Sequence, residues 1–216
     1  MEGTKETQVK SKKRVADHGE VFTNEREVNA MLDLVKQETE RIDSRFLEPA
    51  CGNGNFLAEV LRRKLKTVDN RYAKSQTEWE QYAIIAVSSI YGVDILEDNA
   101  EECRQRLFTI FDDRYTAHFK SRCKPECKRS VLFLLGKNII NGDATNYCIP
   151  NTDKPIIFSE WTPIGKKIQR KDWVFESLAK GSYQLRLFDE NDEPQFFDKS
   201  IKQYAPVDYL KLGEDE

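Results

Sequence analysis

The fold is decided by the stretch Phe46-Leu-Glu-Pro-Ala-Cys-Gly-Asn-Gly-Asn-Phe-Leu57. A short apolar run ends at the acid Glu48, a glycine turn follows, and apolar residues then recur at helical spacing. Strand, glycine turn and helix is the arrangement by which α/β domains present backbone N–H groups to a ligand at the carboxyl edge of a sheet. The same pattern also forms tight strand-to-helix connections that bind no ligand. Other segments of the chain are therefore needed to distinguish the two interpretations.

One interpretation of the turn is a nicotinamide dinucleotide site. Such a site needs a third glycine after the first two, and an acid about 20 residues further on. Position 57 is leucine, and the next acid that ends a predicted strand is Asp94, too far along the chain for that unit. The sequence therefore disfavours a dinucleotide.

Two further buried strands are predicted to end beside acids at the same sheet edge. Asp94 ends the segment Ile90-Tyr-Gly-Val-Asp-Ile95, and Asp143 lies in the turn of Asn138-Ile-Ile-Asn-Gly-Asp-Ala-Thr145. A carboxylate at a strand end can accept hydrogen bonds from both hydroxyls of a ribose. A single strand-end aspartate is more often a helix cap, but in series with the glycine turn Asp94 favours ribose binding.

These segments resemble the cofactor motifs of the adenine-specific DNA methyltransferases found in restriction–modification systems. The S-adenosylmethionine motif of that family is similar to Glu48-Pro-Ala-Cys-Gly-Asn-Gly-Asn-Phe-Leu57, and the motif before it is similar to Gly19-Glu-Val-Phe-Thr23. The next two motifs are similar to Tyr91-Gly-Val-Asp-Ile95 and Gly142-Asp-Ala144. All four follow one another in the family's order, and together they predict S-adenosylmethionine as the cofactor.

The resemblance implies a contact for each motif. Phe22 and Thr23 would lie against the methionine part of the cofactor, and Asp94 would bind its ribose. Ile95 would pack on the adenine face, and Asp143 would accept from the exocyclic amino group. The cofactor-binding residues predicted in this way are Phe22, Thr23, Glu48, Pro49, Ala50, Cys51, Gly52, Gly54, Phe56, Asp94, Ile95, Asp143 and Ala144.

The catalytic motif of that family has no counterpart here. Amino methylation of adenine uses an Asn/Asp/Ser-Pro-Pro-Tyr/Phe turn that accepts from the amino group and stacks on a flipped base. This chain contains no Pro-Pro pair. One interpretation is a divergent turn at residues 159–162, with Ser159 or Glu160 as acceptor and Trp161 as stacking platform. The other, which we favour, is a hairpin that lies upstream of the catalytic turn in longer relatives.

The order of the predicted elements indicates a doubly wound, Rossmann-like α/β fold. The resemblance makes it an S-adenosylmethionine-dependent methyltransferase fold in incomplete form. With 216 residues, of which 39% are hydrophobic, the chain is long enough for one domain with a full core. We expect a flexible arm over residues 1–16, the cofactor-binding domain over 17–188 and an acidic, partly disordered tail over 189–216.

Two polar stretches carry no clear apolar period. The stretch from Lys64 to Glu80 predicts a loop or a frayed helix end. The most basic stretch, residues 114–129, predicts a solvated loop more readily than a DNA contact. Its Cys123 and Cys127 lack a second pair of ligands, so no metal site is predicted.

Composition limits location and partners. No apolar run approaches the roughly 20 residues that cross a membrane, so no membrane partner is expected. The five scattered cysteines predict a reducing compartment, which we expect to be the cytoplasm, of a prokaryotic or phage-type system as the resemblance implies. Because the net charge is −3, contact with DNA would come from local patches or through a partner subunit.

Three functional hypotheses follow. In the first, the chain is the cofactor-binding portion or small subunit of an adenine-specific DNA methyltransferase, active with a specificity or catalytic partner chain. In the second, it is a complete methyltransferase with a divergent active turn at residues 159–162. In the third, it is a non-catalytic accessory or regulatory protein that binds the cofactor or DNA.

Overall fold

The computed structural model describes residues 10–18, 20–180, 184–188, 194–198 and 200–214. Residues 1–9 of the predicted arm, Gly19 of the first motif, and residues 189–193, 199, 215 and 216 of the predicted tail lie outside these ranges. The described part is a mixed α/β structure with a three-stranded parallel sheet and a four-stranded antiparallel sheet. None of the helices in it is both long and apolar enough to cross a membrane.

Helices predominate up to residue 138 and strands after it. The helices are α1 (Lys12–His18), α2 (Glu25–Leu34), α3 (Lys36–Thr39), α4 (Asn55–Tyr72), α5 (Gln76–Ser88), α6 (Glu97–Phe119), α7 (Pro125–Asn138) and α8 (Phe175–Ala179). The strands are β1 (Phe46–Glu48), β2 (Ile90–Asp94), β3 (Ile139–Asn141), β4 (Ile157–Ile164), β5 (Lys167–Val174), β6 (Gln184–Phe188), β7 (Pro194–Asp198), β8 (Lys202–Gln203) and β9 (Val207–Asp208). Short 3-10 helices lie at Lys120–Arg122 and Tyr209–Lys211.

Strands β1, β2 and β3 form the parallel sheet in that order. Phe46 pairs with Ile90, and Asp94 pairs with Asn141, so the strands run in register and end at one edge. Parallel neighbours need a crossover connection, and helices α4–α5 and α6–α7 provide the two crossovers. The three strands predicted from the sequence are confirmed.

The apolar faces of helices α4 to α7 cover the sheet and form the core. In α6, apolar residues recur at helical spacing, and Ala100, Cys103, Leu107 and Phe111 are buried while Ile110 is partly buried. Burying one large apolar side chain stabilises a fold by roughly 1.5–3 kcal/mol. Packing of these helices on the sheet therefore fixes the positions of the three strand ends and of the segments that follow them.

The prediction of a loop from Lys64 onward is wrong for most of that stretch. Helix α4 continues to Tyr72, and α5 begins at Gln76 with Ser75 as its N-cap. Lys64 is fully buried, and its ammonium group donates to three backbone carbonyls ahead of β1 and to the Ser89 hydroxyl. A lysine thus occupies a core position of α4. It interrupts the apolar periodicity by which the helix could be predicted from the sequence.

The predicted solvated loop over residues 114–129 is also wrong. Helix α6 extends to Phe119, and α7 begins at Pro125, which suits the first turn of a helix because it has no N–H group. Within the last turns of α6, Tyr115 is fully buried and stacks on Trp79 with ring centroids 5.3 Å apart. The ring of Phe119 packs against both Tyr115 and Trp79, and the guanidinium of Arg122 lies over it.

The hairpin predicted within residues 155–163 is larger than expected: residues 157–164 form only its first strand, β4, the turn lies at residues 165–166, and β4 pairs with β5 along its whole length. The hairpin docks on the parallel sheet through Tyr91 of β2. The Tyr91 hydroxyl donates to the Ser159 carbonyl oxygen at 2.9 Å, and its ring packs edge-on against Phe158. The hairpin strands are therefore an integral part of the core.

Parts of both predicted terminal segments pack on the rest of the protein. Within residues 1–16, α1 begins at Lys12, and Arg14 forms ion pairs with Glu20 and Asp98. Within residues 189–216, β8 and β9 both pair with β5, and Tyr209 is buried behind them. Residues 10–16 and 200–214 thus extend the folded body.

Candidate functional site

A cavity of about 440 Å³, here named the sheet-edge cavity, opens at the carboxyl edge of the parallel sheet. Its walls come from the segments at the three strand ends, residues 48–53, 94–96 and 142–145, and from residues 20–23 ahead of α2. In open α/β sheets, ligands bind outside the carboxyl ends of the strands. The volume is also in the range of small-molecule sites, about 300–1,000 Å³.

The structure brings the predicted cofactor-binding residues together around this cavity. Every one of them lines it except Gly54, which lies behind the turn as the N-cap of α4. Glu48, Asp94 and Asp143, which come from the ends of three different strands, border the same space. Residues separated by up to about half the chain thus form one site.

The glycine turn has a backbone shape that needs glycine at two positions. Gly52 and Gly54 have φ angles of +52° and +86°, in the left-handed region that disfavours other residues. A Cβ on Gly52 would lie 3.1 Å from the ring of Phe22, and one on Gly54 would lie 2.6 Å from Cys103 Sγ. The turn is therefore in close contact both with a cavity wall and with the core.

The carboxylate of Asp94 connects the glycine turn to helix α6. It accepts from the Gly52 N–H at 2.8 Å and, through its other oxygen, from the Leu96 N–H at 2.9 Å and from Asn99 Nδ2 at 3.2 Å. An ionised carboxylate can accept about four hydrogen bonds, so Asp94 retains capacity for a ligand hydroxyl. Its position is fixed by the protein before any ligand arrives.

Glu20 and Asn99 are site residues that the sequence did not identify. Glu20 lines the cavity and accepts from Asn99 Nδ2 at 2.7 Å and from the Arg14 guanidinium at 2.6 and 2.8 Å. Burial would raise the pKa of Glu20, but the hydrogen bonds from Arg14 and Asn99 outweigh it and hold the pKa below its usual value. Glu20 lies within the motif at residues 19–23, whereas no local sequence pattern indicates a role for Asn99.

The sheet-edge cavity is acidic. Among the described residues that line it are Glu20, Glu48, Asp94 and Asp143, and none is Lys, Arg or His. Burial raises the pKa of Glu48, whereas a hydrogen bond from the Thr145 hydroxyl lowers the pKa of Asp143. Such a site attracts ligands that carry positive charge or several hydrogen-bond donors, and it repels phosphate groups.

Apolar groups and one unsatisfied polar group complete the wall. Met31 and Ile95 line the cavity although they are apolar and about half exposed, at 53% and 46%. Asn53 Oδ1 is buried and accepts no hydrogen bond from the described residues. Exposed apolar side chains and an unsatisfied acceptor on one concave surface are features that a bound ligand can complete.

The weak catalytic candidates lie on β4 and do not line the sheet-edge cavity. Ser159 is 2% exposed, and its hydroxyl donates to Asp172 at 2.8 Å. The indole N–H of Trp161 donates to Asn138 at 2.8 Å, and Glu160 forms an ion pair with an arginine ahead of β1 at 2.6 Å. All three side chains thus have partners within the described part of the protein.

The two cysteines of the basic stretch lie near Tyr115 and differ in exposure. Cys127 is buried in α7, where burial raises the pKa of its thiol, and Cys123 is partly exposed ahead of that helix. Within the described residues, no three His, Cys, Asp or Glu side chains are grouped so that they could hold a metal ion. Cys127 is therefore a core thiol.

Comparison of the chain with models of known protein families, with characterised proteins and with solved structures finds no match. The fold and the site themselves define the class. It is an α/β protein with an acidic cavity at the carboxyl edge of a parallel sheet.

Proposed function

We propose that the sheet-edge cavity binds S-adenosylmethionine, and that the chain is the cofactor-binding portion or small subunit of an adenine-specific DNA methyltransferase of restriction–modification type. The observation that carries the proposal is the convergence of Glu48, Asp94 and Asp143 on one cavity beside the glycine turn. The strand order β1-β2-β3 is compatible with an incomplete Rossmann-like methyltransferase fold, since the strands that carry the motifs are neighbours.

The donor groups of S-adenosylmethionine fit the charge of the cavity. The molecule carries a sulfonium, an ammonium, a ribose diol and an adenine amino group, and carboxylates can accept from or pair with all of these. Asp94 would hold the ribose, Asp143 the adenine amino group, and Ile95 the adenine face. Phe22 and Thr23 would contact the methionine part. When bound, the cofactor supplies an electrophilic methyl group.

The glycine turn supports the same ligand. Because Gly52 has no side chain, the backbone can approach a ligand closely between the ring of Phe22 and the carboxylate of Asp94. Asn53 Oδ1, buried and unsatisfied within the described residues, offers an acceptor that a small side-chain rotation would turn to a ligand donor. A phosphate-bearing dinucleotide fits less well, because four acids border the space.

A partner chain would supply the groups that accept from the target adenine, and also the recognition of the DNA sequence. Two observations support this division. The chain has no Pro-Pro turn, and Ser159, Glu160 and Trp161 are engaged on β4 away from the cavity. The same observations favour a second candidate function, in which the chain binds the cofactor as an accessory protein without turnover.

Calorimetric titration of the purified chain with S-adenosylmethionine tests the cofactor site. We expect binding in the micromolar range, weakened about tenfold or more by Asp94→Ala, because a charge-assisted contact contributes at least that much. Gly52→Val should weaken binding similarly, since its side chain would meet Phe22. Matched controls are Asp113→Ala, on an exposed part of α6, and Gly165→Val, at a left-handed position with open space around it.

If Asp94→Ala and Gly52→Val bind like the parent chain, the site assignment is wrong. Transfer of labelled methyl groups to DNA then separates the functions. Transfer only after addition of a chain that carries an Asn-Pro-Pro-Tyr turn supports the subunit role, and binding without transfer supports the accessory role. Transfer by the isolated chain, abolished when Ser159, Glu160 and Trp161 are replaced together by alanine, would support a divergent active turn instead.

A further inference from the structure

A second cavity, here named the C-terminal cavity, lies between α7, the antiparallel sheet and the segment 202–213. Its volume is about 450 Å³, which is also in the range of small-molecule sites, about 300–1,000 Å³. It shares no lining residue with the sheet-edge cavity. The proposed cofactor function does not use it.

The charge of the C-terminal cavity is opposite to that of the sheet-edge cavity. Lys137, Arg170, Lys202 and Lys211 line it, and none of its described lining residues is Asp or Glu. These cations come from a helix, from a central strand and from the C-terminal segment, so the fold itself brings them together. Like charges held around one concave space attract an anion and focus its field.

The guanidinium of Arg170 is held in place in the floor of this cavity. Arg170 is only 9% exposed, and it donates to both oxygens of Asp172, at 2.7 and 2.8 Å. The ring of Tyr204 packs on the guanidinium with 4.4 Å to the ring centroid, and the Tyr204 hydroxyl also donates to Asp172 at 3.0 Å. The arginine is thus positioned without a ligand, at no further cost in side-chain entropy.

Two exposed lysines complete the site from the C-terminal segment. Lys202 also lies against the ring of Tyr204, with its ammonium 4.3 Å from the centroid, so this ring contacts two cations. Lys211 lies at the end of the 3-10 helix that begins at the buried Tyr209.

We propose that the C-terminal cavity binds a small molecule that carries a diphosphate or triphosphate group. Phosphate oxygens are the acceptors that arginine and lysine bind best, and cations that come from three different elements can contact more than one phosphate. The concave shape favours a small ligand over the backbone of a DNA duplex, which presents a convex surface. The ligand is inorganic pyrophosphate or a nucleotide, which share this chemistry.

Titration of the full chain with sodium pyrophosphate at fixed ionic strength tests the site. We expect saturable binding that is weakened about tenfold or more in the double variant Lys202→Gln/Lys211→Gln, because two charge-assisted contacts are lost. The matched control is Lys66→Gln/Lys74→Gln, which removes two equally exposed positive charges elsewhere. Titrations with ATP and with adenosine show whether a nucleotide binds more tightly than pyrophosphate and whether the phosphates are required.

The proposal is overturned if pyrophosphate and ATP show no saturable binding, or if both double variants lose affinity equally. It is also overturned if only a short DNA duplex distinguishes the two double variants, since the lysines would then form a nucleic-acid surface. Both double variants should keep the binding of S-adenosylmethionine. A failure of the S-adenosylmethionine titration would therefore not change the interpretation of the pyrophosphate titration.

Discussion

Asp94 has two roles at the sheet edge, one towards the ligand and one in the structure of the site. Its carboxylate would contact the ligand, and it also holds the glycine turn through the Gly52 N–H and the start of α6 through the Leu96 N–H. Asp94→Ala removes both functions, because buried N–H groups lose their acceptor. Gly52→Val leaves the carboxylate in place and fills the space instead. The two variants therefore test the site by different means, one by removing an acceptor and the other by obstructing the cavity.

Gly54 is predicted to be the least replaceable glycine of the turn. An alanine at a left-handed position costs about 1–2 kcal/mol in the free energy of unfolding. At Gly54 the added Cβ would also lie 2.6 Å from Cys103 Sγ, and overpacking of this kind costs a further amount of about 1–3 kcal/mol. Urea denaturation of Gly54→Ala should therefore show the sum of both costs, with an unchanged slope.

Gly165→Ala is the matched control for this prediction. Gly165 has a φ angle of +60°, but nothing lies within 4 Å of the position of its Cβ, so only the backbone cost should appear. Adding Cys103→Ala to Gly54→Ala should relieve part of the clash, after allowing for the cost of Cys103→Ala alone. Equal destabilisation by the two glycine substitutions would show that contact with Cys103 does not constrain the turn.

At the scale of elements, the sequence predicted what depends on local patterns. The strands β1, β2 and β3 and the glycine turn are contiguous signals, and the residues predicted beside them border the sheet-edge cavity for that reason. The second half of α4 was missed because Lys64 is buried by carbonyl groups that lie about 20 residues earlier in the chain. Asn99 was missed because its partner Glu20 lies far away in sequence.

Helix α1 is attached to the sheet-edge cavity by an ion-pair cluster, and this attachment should depend on pH. Arg14 pairs with Glu20 and Asp98, and Lys10 also contacts Asp98 at 3.2 Å. The hydrogen bond from Arg14 lowers the pKa of Asp98 from 3.8 to about 2. Because the folded value is the lower one, the contribution to stability is complete above about pH 4 and is lost as the pH falls through about 2.

The difference in free energy of unfolding between the parent and Arg14→Gln measures this contribution. We expect Arg14→Gln to be less stable at pH 7, and we expect the difference to shrink as the pH falls from about 4 to about 2. Arg26→Gln, an exposed arginine on α2, is the control and should show a small difference that does not change over that range. A constant difference for Arg14→Gln would contradict a role of the charged carboxylates in docking α1.

In the whole molecule, positive and negative residues are nearly equal in number but are unevenly distributed. The net charge of −3 does not reveal that one cavity is lined by four acids and the other by four bases. Two unit charges about 4 Å apart interact by about 4 kcal/mol near a protein surface, so a difference of this kind outweighs most single contacts. The two cavities should therefore select ligands of opposite charge even when the ligands share a chemical group.

Adenosine is such a shared group, and it makes the selection measurable. S-adenosylmethionine and ATP both contain it, but one carries a sulfonium and the other a triphosphate. We expect S-adenosylhomocysteine to displace S-adenosylmethionine from the sheet-edge cavity, and ATP to fail at concentrations at least about a hundredfold higher, because its phosphates would lie among carboxylates. The competition is best run with Lys202→Gln/Lys211→Gln, which weakens binding of ATP to the C-terminal cavity. Displacement by ATP as effective as that by S-adenosylhomocysteine would show that the four acids do not control which ligand enters.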